Sequence, residues 1–238
     1  MTQHLSREME LLKKKILSLS TLVEETVSKA VQSVLERNKT LAQEVMEKDQ
    51  KIDDLEIEVE EDCLKILALH QPVSIDLRFI IAVLKINNDL ERIGDQAVNI
   101  SSRAASLAEL PHIPDPYDLK TMTSRVKIML QESLDSLVNM DTDLAKHVCR
   151  SDEEVDSIHR ESYRITKERL LKDPNLSEQM ILFLSVSRNL ERIADLAENI
   201  AEDVIYMISG DIVRHGRGRL AEISASKGPP KSSLERIK

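Results

Sequence analysis

The sequence predicts an all-α chain of two tandem three-helix bundles, six long helices related by internal duplication. Three observations carry that prediction. Apolar residues recur at steps of three and four along most of the 238 residues, the spacing of one buried helix face. Glycine is nearly absent from the body: of five glycines, Gly210, Gly216, Gly218 and Gly228 lie near the C-terminal end and only Gly94 lies within it. A body so poor in glycine has few tight turns, hence few and long elements. The third observation is a block of sequence that occurs twice, about a hundred residues apart.

Proline marks where the elements stop, because inside a helix it costs about 3 kcal/mol. The first helix is expected over 4–37 and the second over 40–69, with Pro72 in the hairpin that follows. The third runs over 73–109, with a seam of Phe79, Val83, Ile86, Leu90, Ile93, Ala97, Ile100, Ala104 and Leu107. Pro111, Pro114 and Pro116 make 111–116 a stiff linker. The fourth helix is placed at 117–140 and the fifth at 142–171, before a hairpin at Pro174. The sixth, over 175–209, repeats the seam with Phe183, Val186, Leu190, Ile193, Ala197, Ile200, Val204 and Met207. The expected units are a first bundle over 1–110, the linker, a second bundle over 117–212, and a tail over 213–238.

Composition excludes several classes. Hydrophobic residues are 41% and charged residues 32%, but aromatics are only 2% and tryptophan is absent. Such a core must be filled by aliphatic side chains, which suits layered helices better than a sandwich or barrel. From Asp211 onward seven Lys/Arg and three Asp/Glu give +4, so the net charge of −9 leaves −13 on the body. An acidic body argues against a nucleic-acid binder, which needs a basic stripe. The tail, with its Gly, Ser and Pro229-Pro230, reads as solvated and disordered. Cys63 and Cys149 fall inside helical patterns and read as buried thiols. The polar start reads as lacking a signal peptide, and no stretch approaches the roughly 20 apolar residues of a membrane span. A cytoplasmic protein without membrane insertion is expected.

The repeat is specific in its polar residues. Leu90-Glu91-Arg92-Ile93-Gly94-Asp95 aligns with Leu190-Glu191-Arg192-Ile193-Ala194-Asp195, and the match continues through Asn99 and Asn199, at an offset of 100. Upstream, Leu41-Ala42 and Val45 align with Leu144-Ala145 and Val148 at an offset of 103. The difference falls where a hairpin turn absorbs it. Shared bundle composition would explain the apolar steps, but not Glu, Arg, Asp and Asn matching in register.

Asn88 to Asp95 resembles the signature of PhoU proteins, and Leu190 to Asp195 resembles its second copy. Asp76-Leu77-Arg78, Ile205-Tyr206-Met207, Gly210 and Arg214-His215 fit the same family, in the same order. The resemblance covers about 5–215 and departs at Ala194, where the first copy has Gly94. It implies an adaptor that links the ATPase of a phosphate ABC transporter to a sensor histidine kinase and damps phosphate-starvation signalling. It also implies a homodimer, and metal, iron clusters included, at Glu91, Asp95, Glu191 and Asp195.

Spacing extends that carboxylate set. Asp49 with Asp53 and Asp152 with Asp156 are also four apart, and they are related by the offset of 103. Asp53 is 19 residues before Pro72 and Glu91 is 19 after it, so antiparallel helices bring them level, about 28 Å from the turn. Each half can gather four carboxylates, with Asn99, Asn199 and His159 as accessory ligands. Oxygen ligands favour magnesium, calcium, manganese or iron over zinc or copper, and iron, manganese, magnesium or zinc are the ions considered. The helical wheel turns Glu91 and Asp95 away from the Leu90–Ile93–Ala97 seam, so a solvated outer face is the alternative, with Arg92 paired to Asp95 and Arg192 to Asp195. The other functional class is a metal-storage or carboxylate-metal protein, whose ferritin-like sites use Glu-x-x-His. That motif is absent here, as are a Gly-rich phosphate loop and a Gly-x-Ser-x-Gly elbow. The chain does not read as an enzyme.

Overall fold

A computed structural model describes residues 3–210, and the expected tail over 213–238 lies outside the described residues. Six α-helices account for nearly all of it: α1 (Gln3–Leu35), α2 (Lys39–His70), α3 (Ser74–Glu109), α4 (Leu119–Asn139), α5 (Thr142–Lys172) and α6 (Ser177–Ser209). A single 3-10 turn, Pro174–Leu176, leads into α6.

α2, α4 and α5 start where a side chain caps them. Asn38 accepts from the Leu41 amide, Asp118 from Thr121, and Asp141 from Asp143 and Leu144, each satisfying a donor the first helical turn leaves open. α1 stops at Leu35, short of the expected 37, because Arg37 adopts φ 51° to swing the chain into the Asn38 cap. The α4–α5 turn repeats this at offset 103, with Met140 at φ 53° before Asp141. Asn38 N donates to Ser33 O and Asp141 N to Ser136 O, both at 2.9 Å. The duplication therefore includes a turn whose residues differ.

α1, α2 and α3 pack as one three-helix bundle and α4, α5 and α6 as the other. The bundles join mainly along α3 and α6, and secondarily where α1 meets α4. Across the molecule the order is α2, α3, α6, α5, with α1 lying over α2 and α3, and α4 over α5 and α6. The expected seams are buried throughout: Leu90, Ile93, Ala97 and Ile100 on α3, and Leu190, Ile193, Ala197 and Ile200 on α6, have no exposed surface.

The polar contacts of the α3–α6 junction reveal its symmetry. Lys85 Nζ lies 3.0 Å from Asp203 Oδ1, and Arg103 Nε donates to Ser185 Oγ at 3.2 Å. At offset 100, Lys85 corresponds to Ser185 and Arg103 to Asp203, so each contact is the image of the other. A pseudo-twofold axis thus relates antiparallel α3 and α6, with Gly94 and Ala194 level at the centre. The first turns of α1 break the symmetry. α4 begins at Leu119, the equivalent of Ile16, so residues 3–15 have no counterpart. They are clamped onto α2 by Lys15 with Asp62 and Glu58, and by Glu8 with His70 and Lys65. Among the described residues no helix is long and apolar enough to cross a membrane.

Candidate functional site

The eight carboxylates fall into two groups, one between α2 and α3 and one between α5 and α6. In the first group Asp49 is held above the ordinary aspartate range by loss of hydration, then by the charges of Asp53 and Asp95. Glu91 is raised by loss of hydration, then by Asp95, Asp53, Glu56 and Asp49. Mutual repulsion of this kind requires the four expected residues to share one patch. In the second group one carboxylate oxygen each from Asp152, Asp156 and Asp195 lie within 4.8 Å of one another. Glu191 is raised by loss of hydration, then by Asp156 and Asp152. Asp195 is pushed up to about 6 by loss of hydration, then by Glu191 and Asp156, with Arg192 opposing.

Two expectations from the helical wheel need correction. The carboxylates do not all face outward: Asp152 is buried, at 3% exposure, and Asp49, Asp53, Asp156, Glu91 and Glu191 are half-buried. The wheel described α3 alone, whereas the flank of α3 that carries Glu91 borders the groove with α2. Only Asp95 and Asp195 keep an open, exposed position. The second correction concerns Arg92, whose Nη1 lies 3.3 Å from Asp89 Oδ1, one turn back, rather than on Asp95. Asn99 and Asn199 are exposed one turn beyond Asp95 and Asp195.

His159 closes the second group. It is half-buried, and its Nδ1 is 2.9 Å from Ser187 Oγ, which leaves Nε2 as the free ring nitrogen. Burial pushes it below the usual histidine range; Asp156 opposes this and Arg188 adds to it. Its counterpart at offset 103 is Glu56, and the counterpart of Ser187 is Asn87. Asn87 Nδ2 donates to Glu56 Oε1 at 3.1 Å and to the Glu56 carbonyl at 2.9 Å. Sequence reasoning missed Glu56. The signal was available, because the offset that pairs Asp53 with Asp156 also pairs Glu56 with His159.

At the centre of the first group, a β-carbon on Gly94 would lie 3.0 Å from Ile52 Cδ1 and 3.9 Å from Asp49 Oδ1. In the second half the position of Gly94 is held by Ala194 at offset 100 and that of Ile52 by Val155 at offset 103. A missing methyl on α3 in the first half is thus matched by an extra methylene on α2.

The PhoU domain family profile matches residues 16–104 and again 119–204. The chain belongs to the PhoU family. The two matched segments begin 103 residues apart and end 100 apart, the two offsets of the repeat, and the unmatched start is the unpaired part of α1. The chain is 38% identical over 228 residues to the "Phosphate-specific transport system accessory protein PhoU homolog" of Pseudomonas aeruginosa, covering 93% of this chain and 94% of the relative. It is 39% identical over 211 residues to the homolog of the same name from Aquifex aeolicus, covering 89% and 96%. Among solved structures it is similar to PhoU from Pseudomonas aeruginosa, with TM-score 0.85 and 37% identity over 87% of this chain and 99% of that one. PhoU from Streptococcus pneumoniae gives TM-score 0.79 and 30% identity over 88% and 99%. The PhoU fold therefore extends over both bundles of this chain.

Proposed function

We propose that this PhoU-family protein is a cytoplasmic regulatory adaptor that couples the ATPase of a phosphate ABC transporter to a sensor histidine kinase. In this role it holds the phosphate-starvation response down when phosphate is plentiful. The observation that carries the reading is the pseudo-twofold of α3 and α6, beside the relatives' designation as phosphate transport accessory proteins. One rigid helical body with two related grooves presents similar surfaces to two partners at once. The acidic body favours basic patches on those partners, so binding weakens as salt rises. A homodimer is part of the reading. A clean deletion is expected to leave starvation genes on in phosphate-rich medium, and the purified protein to retain the ATPase and the kinase in pull-downs. A normal response in the deletion, with neither partner retained, overturns the adaptor.

The carboxylate groups support a second property, metal binding, because three oxygens within 4.8 Å in the α5–α6 groove suit one hard cation. Asp152, Asp156, Glu191 and Asp195, with His159 Nε2, would hold it in one half; Asp49, Asp53, Glu91 and Asp95, with Glu56, in the other. Iron, manganese and magnesium fit the oxygen-only half, and the half with His159 also suits zinc. Metal analysis of gently purified protein should find at least one such ion. Glu191→Ala with Asp195→Ala should lower it, and unchanged metal content counts against these ligands. If the adaptor fails while metal remains, metal storage becomes the leading reading.

A further inference from the structure

α1 and α4 run antiparallel and leave between them an open groove of 510 Å³. Lys127 Nζ donates across it to Ser28 Oγ at 2.8 Å, and this register sets Glu24 level with Gln131 and Glu36 level with Lys120. The α1 wall carries two acids, Glu24 and Glu36, and the α4 wall two cations, Lys120 and Lys127. All four are exposed. Among the described residues none of them forms an ion pair, and their hydrogen bonds go to neutral groups: Lys127 to Ser28, and Gln32 Nε2 to Glu36 Oε1 at 2.8 Å. Neighbouring charges turn elsewhere. Arg125 and Glu132 meet Glu154 and His147 of α5, and Lys29 faces Lys48 of α2. Between the walls stand two apolar side chains, Leu35 and Ile128, 47% and 43% exposed.

We propose that this groove is the face through which two copies of the chain join, α1 of each lying over α4 of the other. The proposal rests on the homodimer reading above and gives it a surface. Charge complementarity is the first argument. Turning a second copy over about an axis along the groove keeps every residue at its height and exchanges the two walls, as an isologous contact requires. Glu36 of each copy then stands over Lys120 of the other, and Glu24 within one helical turn of Lys127. The acidic wall meets the basic wall twice, and four charges that find no opposite charge within the chain find one across the interface.

The same rotation places Ile128 over Val27 and Leu35 over the first turn of α4, so both exposed apolar side chains are covered. Extent agrees as well. α4 has 21 residues, about 30 Å of helix, and two helices side by side are about 20 Å wide. Such a face offers about 600 Å² per copy, close to the roughly 800 Å² of a standard interface. A different protein would need a basic edge and an acidic edge at these same heights, which is what the face itself presents once turned over. Ion pairs on the rim set register and exclude other partners more than they add affinity.

The test keeps the full chain and uses sedimentation of two charge-reversed forms. Lys120→Glu with Lys127→Glu makes the whole groove acidic, and Glu24→Lys with Glu36→Lys makes it basic. All four side chains are exposed, so the fold tolerates both forms. The unaltered chain is expected to dimerise, and each form alone to do so with a Kd raised at least about tenfold. An equal mixture of the two forms is expected to recover the original Kd as a heterodimer, because the acidic groove then meets the basic one. A dimer whose strength neither form changes overturns the proposal and leaves the homodimer reading standing on another surface. Weakened forms that do not recover on mixing overturn the pairing of α1 with α4. A chain that is monomeric at every concentration overturns both the proposal and the homodimer reading, and leaves the adaptor role to its own test.

Discussion

Gly94 and Ala194 occupy one position in two halves and are not interchangeable. Alanine at 94 gains helix propensity of about 1 kcal/mol but drives a β-carbon to 3.0 Å from Ile52, which has no exposed surface in which to relax. Gly94→Ala alone should therefore be neutral to mildly destabilising. In an Ile52→Val background it should stabilise, with a coupling of about 1–2 kcal/mol in a denaturation double-mutant cycle. Additive changes would show that the methyl and the methylene are unrelated. Asp195 supplies a second prediction. Its folded pKa of about 6 lies above the roughly 3.9 of an unfolded aspartate, so the folded state holds the proton more tightly. The associated stability is present below about pH 4 and is lost as pH rises through about 6. Asp195→Asn avoids that loss. In melts without added metal the variant should gain about 1–3 °C at pH 7 and nothing at pH 4, the gain kept small because Asp195 touches solvent. A gain of equal size at both pH values would point to packing instead. Much of this site could be read in advance, since four-residue spacing and a fixed offset name all eight carboxylates. Glu56 escaped because its partner is a histidine, and matching by identity passes over a position where the chemistry has changed. The depth of Asp152 escaped because a helical wheel knows its own helix and not the flank of the next.

At the scale of elements, helix number, order and seams were legible because period and proline are local signals. Turn geometry was less so. With glycine missing from the turns, Arg37, Gln71 and Met140 take the left-handed conformation instead, at about 1–2 kcal/mol each. Gln71 ends α2, and Gln71→Gly should raise stability by about 1 kcal/mol, or roughly 2–4 °C. Arg37→Gly should not, though its φ is similar. The Arg37 guanidinium donates to the Leu107 carbonyl and, at 2.7 Å, to the Leu110 carbonyl, capping the open end of α3. Losing those bonds costs about 1–2 kcal/mol, which offsets the backbone relief. A thermal melt in which both glycine variants gain equally would show that the arginine cap is idle. α4 is also shorter than α1 for a visible reason: Pro116 and the Asp118 cap start it level with Ile16. The gap this leaves beside α5 is filled by Tyr117, whose hydroxyl meets Thr166 and whose ring stands edge-on to Phe183.

For the whole molecule, the extensive α3–α6 junction means that neither half is complete alone. Residues 1–110 expressed by themselves would expose the flank of α3 that carries Lys85 and Arg103. A second α3 in the place of α6 matches its apolar seam but sets Lys85 against Arg103 of the other copy, where α6 supplies Asp203 and Ser185. Sedimentation should therefore find the fragment self-associating more strongly as salt rises and screens those cations, and a monomer at every salt concentration would mean that the first bundle is self-sufficient. The same junction sets the order in which the chain can fold. Within each bundle the packed helices are neighbours in sequence, so their contacts form early and without long loop closure. The α3–α6 contacts join residues about a hundred apart and must wait for α6, which leaves the ribosome after the other five described helices. During that interval the nascent chain carries a finished bundle with an open seam. Many copies made side by side on one message could pair through that seam before α6 arrives, so the speed of synthesis past residue 177 bears on how much of the protein reaches its own fold.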